Sequence, residues 1–162
     1  MRPRVCLFAS AVFIILINAA PLPAATAASV DACSLLTQEE VSAVVGVPMH
    51  SGEHAPPDVM QSCHWVPSKA PPPMGLHLQL WVMPFVEGIF EAEKRRAGQE
   101  NVTSVSGLGD NAYYAIFGGG SMTVLNVKKG SFIVQVTWIG TTDHQTVMDA
   151  ERTIATQVLL EL

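Results

Sequence analysis

The stretch that decides the fold is SMTVLNVKKGSFIVQVTWI, residues 121–139. Two segments rich in β-branched and aromatic residues flank Lys-Lys-Gly, which is typical of a tight hairpin turn with Gly130 at positive φ. Alternate positions of the second segment are large and apolar, and they define the core face of a strand: Phe132, Val134, Val136 and Trp138. The stretch therefore predicts two neighbouring antiparallel strands.

A second alternating segment, GLHLQLWVM at 75–83, predicts a further strand. Its buried face consists of Leu76, Leu78, Leu80 and Val82. Its opposite face carries His77, Gln79, Trp81 and Met83. The composition of 60–66 predicts another strand, and strand structure at 102–117 surrounds a Gly-Asp-Asn turn.

Three segments favour helices. The segment at 35–46 has Thr37 and Glu40 in the spacing of a capping box. The segment at 86–98 also has helical spacing, and a third helix is predicted from about Thr142 to the end of the chain. The predicted order is α-β-β-α-β-β-β-α. Because short connections favour antiparallel neighbours, the sequence predicts an α+β two-layer sandwich with the helices packed on one face of the sheet.

The first 27 residues have the pattern of a cleaved signal peptide. Arg2 and Arg4 precede an apolar run at 5–17, and Ala25-Thr26-Ala27 fits a signal-peptidase site. The apolar run is shorter than the roughly 20 residues of a membrane-spanning helix. We therefore expect cleavage after Ala27, a single α+β domain at 28–162 without a transmembrane anchor, and a soluble protein in the periplasm or outside the cell.

The charge of the expected mature chain disfavours some classes of partner. Loss of Arg2 and Arg4 reduces nine Lys and Arg residues to seven, while all 14 Asp and Glu residues remain, so the formal charge is −7. This charge disfavours non-specific binding to nucleic acid or to an anionic membrane surface. The expected partner is an envelope protein or a small ligand.

Two cysteines, Cys33 and Cys63, remain after Cys6 leaves with the signal peptide. An even pair in an oxidising compartment favours a disulfide, whose loop of about 30 residues stabilises the fold by roughly 3–4 kcal/mol. The charged Asp31 disfavours attachment of a lipid to Cys33. A nucleophilic role for Cys33 is disfavoured because a reactive thiol oxidises beside a second cysteine.

No catalytic residues and no cofactor are predicted. GLGDNA at 107–112 matches a dinucleotide-binding fingerprint, but the β-type run after it favours a turn rather than the N-terminus of a phosphate-binding helix. The sequence contains no G-x-S-x-G elbow, so an unrecognised hydrolase is only an alternative.

Another alternative is a periplasmic metal-binding protein of the copper type. Thioether and imidazole side chains are suitable ligands for copper in an exported protein. Four of them cluster around one loop: Met49, His50, His54 and Met60. Their spacing lacks the regularity of a zinc motif, so histidines of a surface loop are the competing explanation.

Three segments together resemble a family of exported bacterial domains of unknown function: DACSLLTQEEVSAVVG at 31–46, CHW at 63–65 and VSGLGDNAYY at 105–114. Many members of that family are lipoproteins, and their folds look similar to the PsbP-like α/β sandwich. The resemblance implies that Cys33 and Cys63 pair, that Trp65 is in the core, and that Gly107, Gly109 and Asp110 form a structural turn. It implies no reaction.

The second face of the strand at 75–83 carries the main functional hypothesis. If the helices cover only one side of the sheet, His77, Gln79, Trp81 and Met83 are exposed, and aromatic and methionine side chains suit recognition. The competing explanation is that a helix or loop covers Trp81. We expect a non-catalytic binding or accessory module of the cell envelope, and not an enzyme.

Overall fold

The fold comes from a computed structural model that describes residues 30–55, 59–69, 76–140 and 143–162. The predicted signal peptide at 1–27 lies outside these residues. The helices are α1 Gln38–Val45, α2 Glu87–Ala97 and α3 His144–Glu161. The strands are β1 Glu53–Ala55, β2 Val59–Trp65, β3 His77–Pro84, β4 Val102–Val105, β5 Asn111–Phe117, β6 Met122–Lys129 and β7 Phe132–Ile139.

All seven strands form one antiparallel sheet in the order β1-β2-β3-β7-β6-β5-β4. The hairpin predicted at 121–139 is the centre of this sheet, since β7 lies between β6 and β3. Lys129 pairs with Phe132, and Gly130 in the turn has φ 55°. The α+β class and the antiparallel sheet with packed helices are therefore confirmed.

The main core lies between one face of the sheet and helices α1 and α3. Helix α1 begins with the predicted capping box: the Thr37 side chain accepts from the Glu40 backbone N–H, and the Glu40 carboxylate accepts from the Thr37 N–H. Val41 of α1 and Ile154 of α3 are fully buried against the sheet. Trp65 is also fully buried there, as the family resemblance implies.

Helix α2 lies on the opposite face, which differs from the prediction that the helices share one face. Successive side chains of a strand point to opposite faces of its sheet. The Tyr113 hydroxyl donates to the Phe90 carbonyl of α2 at 2.7 Å, whereas the Tyr114 hydroxyl donates to the Met148 carbonyl of α3 at 2.6 Å. The two neighbouring tyrosines therefore mark two separate cores, one on each face of the sheet.

The element order also contains more strands than predicted. Strand β1 forms between α1 and β2, and four strands rather than three follow α2. The predicted helix start at Thr142 lies outside the described residues, and within them Asp143 is the N-cap of α3 because its side chain accepts from the Thr146 N–H. In the described residues, no helix has the length and apolar character to cross a membrane.

Candidate functional site

The predicted disulfide joins Cys33 to Cys63, with 4.9 Å between the two Cα atoms. It connects the short 3₁₀ helix Ala32–Ser34 to β2. Cys63 is fully buried in the main core, and Cys33 is half-buried. A Cβ atom on Gly52 would lie 2.5 Å from the Cys63 sulfur, so glycine at this position permits the loop before β1 to pack against the disulfide.

The Gly-Leu-Gly-Asp segment is a turn, as predicted, and it docks on the central hairpin. The backbone N–H of Asp110 donates to the Lys128 carbonyl at 2.7 Å, and the Asp110 carboxylate accepts from the Gly130 N–H at 2.7 Å. Gly107 and Gly109 both have positive φ, and strand β5 follows directly. Because no helix begins here, the segment lacks the N-terminus that would receive a pyrophosphate.

The four residues of the predicted partner-binding face of β3 differ in exposure and in their contacts. His77 is exposed, and Gln79 and Trp81 are half-buried. Met83 packs against the second core, with Phe90 of α2, and is therefore not part of an open surface. The row that remains available for recognition consists of His77, Gln79 and Trp81, and we refer to it as the β3 row.

Both cross-strand partners of Trp81 are polar, and Trp81 itself lies outside the two cores. It belongs to neither core cluster, whereas Trp65 and Trp138 are both buried in the main core. In register, Trp81 pairs with Ser62 of β2 and with Gln135 of β7. Since paired residues of an antiparallel sheet share a face, the indole has a hydroxyl on one side and an amide on the other.

The same pattern continues along the β3 row and across the sheet. Gln79 pairs with His64 and with Thr137, whose side chains are also capable of hydrogen bonding. Further along, the Gln135 amide donates to the Asn126 carbonyl oxygen at 2.9 Å. Within the described residues, the Asn126 amide nitrogen has no hydrogen-bond partner although Asn126 is 1% exposed. A row of polar side chains thus crosses the centre of this face and reaches Asn126, which pairs with Tyr113 of the second core.

The four predicted metal ligands differ in their surroundings. Met49 is fully buried in the main core, whereas Met60 is 45% exposed. His50 is exposed, and its backbone N–H donates to the Val66 carbonyl. Met49 forms an isolated antiparallel bridge with Pro67, whereas His54 lies on β1.

His54 instead contacts a residue that the sequence analysis left out of the metal set. Its Nε2 atom lies 3.5 Å from Oδ1 of Asp31, and its Nδ1 atom lies 3.1 Å from the Ser62 carbonyl oxygen. Asp31 also accepts from the Cys33 backbone N–H at 2.9 Å. Asp31 precedes Cys33 by two residues, so its closeness to the cysteine was available from the sequence, but its contact with His54 depends on the β1–β2 pairing.

A buried carboxyl group on α3 is a further feature that the sequence analysis missed. Glu151 has no exposed surface, and its Oε1 atom accepts from the Trp138 backbone N–H at 3.1 Å. Burial raises the pKa of Glu151 well above its ordinary value. The signal was present, because Glu151 follows Val147 by four residues and precedes Ile154 by three, which places it on the apolar stripe.

A small cleft of about 250 Å³ lies between β4 and α3 and contains Tyr114. The Tyr114 hydroxyl is already engaged with the Met148 carbonyl, and burial raises the pKa of the phenol. Tyr114 therefore stays neutral and hydrogen-bonded near pH 7. Asp149 and Arg152 of α3 also line this cleft.

No protein-family model, curated protein or solved structure matches this chain in the comparisons with known proteins.

Proposed function

We propose that this chain is an exported, disulfide-bonded, non-catalytic binding module of the cell envelope, and that the β3 row is its recognition surface. The observation that carries the proposal is the environment of Trp81: a half-buried indole outside both cores, flanked by Ser62 and Gln135. An aromatic side chain that contributes to no core and is surrounded by hydrogen-bonding groups suits a ligand or protein partner.

Two further observations support the envelope location. A disulfide persists in an oxidising compartment and is rare in the cytosol. The paired cysteines, the buried Trp65 and the Gly107–Asp110 turn also occupy the roles that the resemblance to exported bacterial domains implies. Membership of that family and cleavage of the signal peptide after Ala27 are part of the same proposal.

Site-specific photo-crosslinking in the native cell envelope tests the recognition surface. A photoreactive amino acid replaces His77 in one variant and Leu160 in a matched control, since Leu160 is 80% exposed but lies on α3. We expect a discrete crosslinked adduct from position 77 only. We also expect Trp81→Ala in the position-77 variant to remove the adduct, because the indole supplies the contact.

The folding of the variants is checked separately. Trp81 lies outside both cores, so Trp81→Ala is expected to leave the circular dichroism spectrum of the domain unchanged. The proposal fails if positions 77 and 160 give the same adducts, or if a folded Trp81→Ala variant crosslinks as the parent does.

A further inference from the structure

The imidazole of His54 is held in one orientation by the backbone of β2. Its Nδ1 atom lies 3.1 Å from the Ser62 carbonyl oxygen, and because a carbonyl only accepts, Nδ1 carries the proton and donates. The Nε2 atom then faces Oδ1 of Asp31 at 3.5 Å. A proton or a metal cation between Nε2 and Oδ1 makes this contact favourable.

This arrangement is the one that metal-binding histidines adopt. A histidine that binds a metal through one ring nitrogen commonly donates its other N–H to a backbone carbonyl or a carboxylate, which fixes the ring. The Ser62 carbonyl does this for His54. Asp31 is fixed in a similar way, because it accepts from the Cys33 N–H at 2.9 Å. Both side chains therefore have partners that would orient them towards a common ion.

The Cys33 sulfur completes the group. One ligand atom from each of Asp31, Cys33 and His54 lies within 4.8 Å of the others. Ligand atoms around one tetrahedral zinc ion are roughly 3–4 Å apart, since metal–ligand bonds measure about 2.0–2.3 Å. A small adjustment of half-buried side chains closes the difference. Cys63 is joined to Cys33, but it is fully buried in the main core and its sulfur does not belong to this group.

The oxidation state of the cysteines decides whether this group is a metal site. A disulfide sulfur is not a thiolate, and the thiolate is the form that binds metals. A dithiol reductant reduces the Cys33–Cys63 bond by thiol–disulfide exchange: two electrons and two protons pass to the cysteines, and the dithiol becomes a disulfide. Cys33 is the accessible sulfur for this attack, because Cys63 is fully buried. Zinc then replaces the proton of the Cys33 thiol, with release of one proton, and Cys63 remains a buried thiol.

We propose that Asp31, Cys33 and His54 form a zinc site when the disulfide is reduced, with the fourth position of the ion left to water, so that the Cys33–Cys63 disulfide and the metal site are alternative states of Cys33. The site differs from the copper site considered from the sequence, with which it shares only His54. It also lies beside the short 3₁₀ helix Ala32–Ser34 and strand β1, and it is independent of the β3 row.

Cobalt titration of the purified mature domain tests the proposal. The domain is reduced with a phosphine, because dithiols bind metals themselves, and Co²⁺ is added to the reduced and oxidised forms. We expect the reduced form to bind one Co²⁺ with thiolate-to-metal charge-transfer absorption, to exchange it for Zn²⁺, and to bind at least about tenfold more tightly than the oxidised form.

Variants of the two non-cysteine ligands separate this site from simple dithiol binding. His54→Ala and Asp31→Asn are each expected to weaken the reduced form's Co²⁺ affinity at least about tenfold, whereas His50→Ala, a matched change at an exposed histidine, leaves it unchanged. Circular dichroism follows folding, and Zn²⁺ is expected to restore native signal to any reduced protein that has unfolded. Equal Co²⁺ affinity for the oxidised and reduced forms, or full affinity in reduced His54→Ala, would overturn the proposal.

Discussion

Replacement of the buried Glu151 by glutamine is expected to change how stability depends on pH. Glu151 has no exposed surface, and its Oε1 atom accepts from the Trp138 N–H. Within the described residues, its Oε2 atom has no hydrogen-bond partner, so no hydrogen bond at this atom offsets the free-energy cost of burying an ionised carboxylate. Glutamine keeps the shape and the acceptor oxygen but does not ionise.

The sign follows from the pKa of Glu151, which burial raises well above the ordinary value of 4.5. Below that ordinary value, the carboxyl is protonated in both the folded and the unfolded chain. As pH rises above it, the unfolded chain loses the proton first, so the free energy of unfolding falls by up to about 1.4 kcal/mol per pH unit until the folded carboxyl also ionises. Glu151→Gln removes this dependence.

Urea denaturation followed by tryptophan fluorescence between pH 4.5 and 7 measures the effect. We expect the stability of Glu151→Gln minus that of the parent to rise by about 1 kcal/mol between pH 4.5 and 5.5, because the unfolded carboxyl is only half ionised at the start of that interval. Glu161→Gln is the matched control on the same helix, and because Glu161 is exposed its difference should stay within about 0.5 kcal/mol. A Glu151→Gln difference that is flat across this range would refute the reasoning.

Two other changes test the disulfide and the turn. Replacement of both Cys33 and Cys63 by alanine is expected to lower the free energy of unfolding by about 3–4 kcal/mol, because the disulfide closes a loop with a sequence separation of 30. Urea denaturation measures the loss. A loss below about 1 kcal/mol would contradict a structural role for the disulfide. Gly109→Ala is expected to lower the melting temperature more than Gly46→Ala, because an added Cβ at position 109 meets the Lys128 carbonyl oxygen at 2.3 Å, whereas nothing lies within 4 Å at position 46. Both glycines have positive φ, so equal losses would show that backbone conformation alone, and not the close approach, sets the cost.

The parts of the fold that sequence predicted best are those determined by local chemistry. The Thr37–Glu40 capping box depends on two residues in one turn, and it formed as predicted. The hairpin at Gly130 depends on alternation and one turn. The face of the sheet on which α2 packs depends on the direction of the connection between β3 and α2. The sequences of β3 and α2 do not indicate this direction. Strand β1 was missed because Glu53–Ala55 is short, polar and framed by glycine and proline.

The candidate sites show the same limit at the level of single residues. Alternation placed Trp81 and Met83 on the same face of β3, but only the packing of α2 shows that Met83 contacts the second core and that Trp81 does not. Clustering in sequence grouped Met49 with His54, yet Met49 is fully buried in the main core and His54 is half-buried beside Asp31. The contact between His54 and Asp31 arises from strand pairing across a loop, which residue spacing does not encode.

Export is the claim on which the rest of the account depends, since the disulfide and an envelope partner both require it. The most direct measurement is the intact mass, under denaturing and non-reducing conditions, of the chain recovered from its own cell envelope. We expect the mass of residues 28–162 less two hydrogens for the Cys33–Cys63 bond, with no lipid. A full-length chain, a lipid on Cys33 or two free thiols would contradict the account.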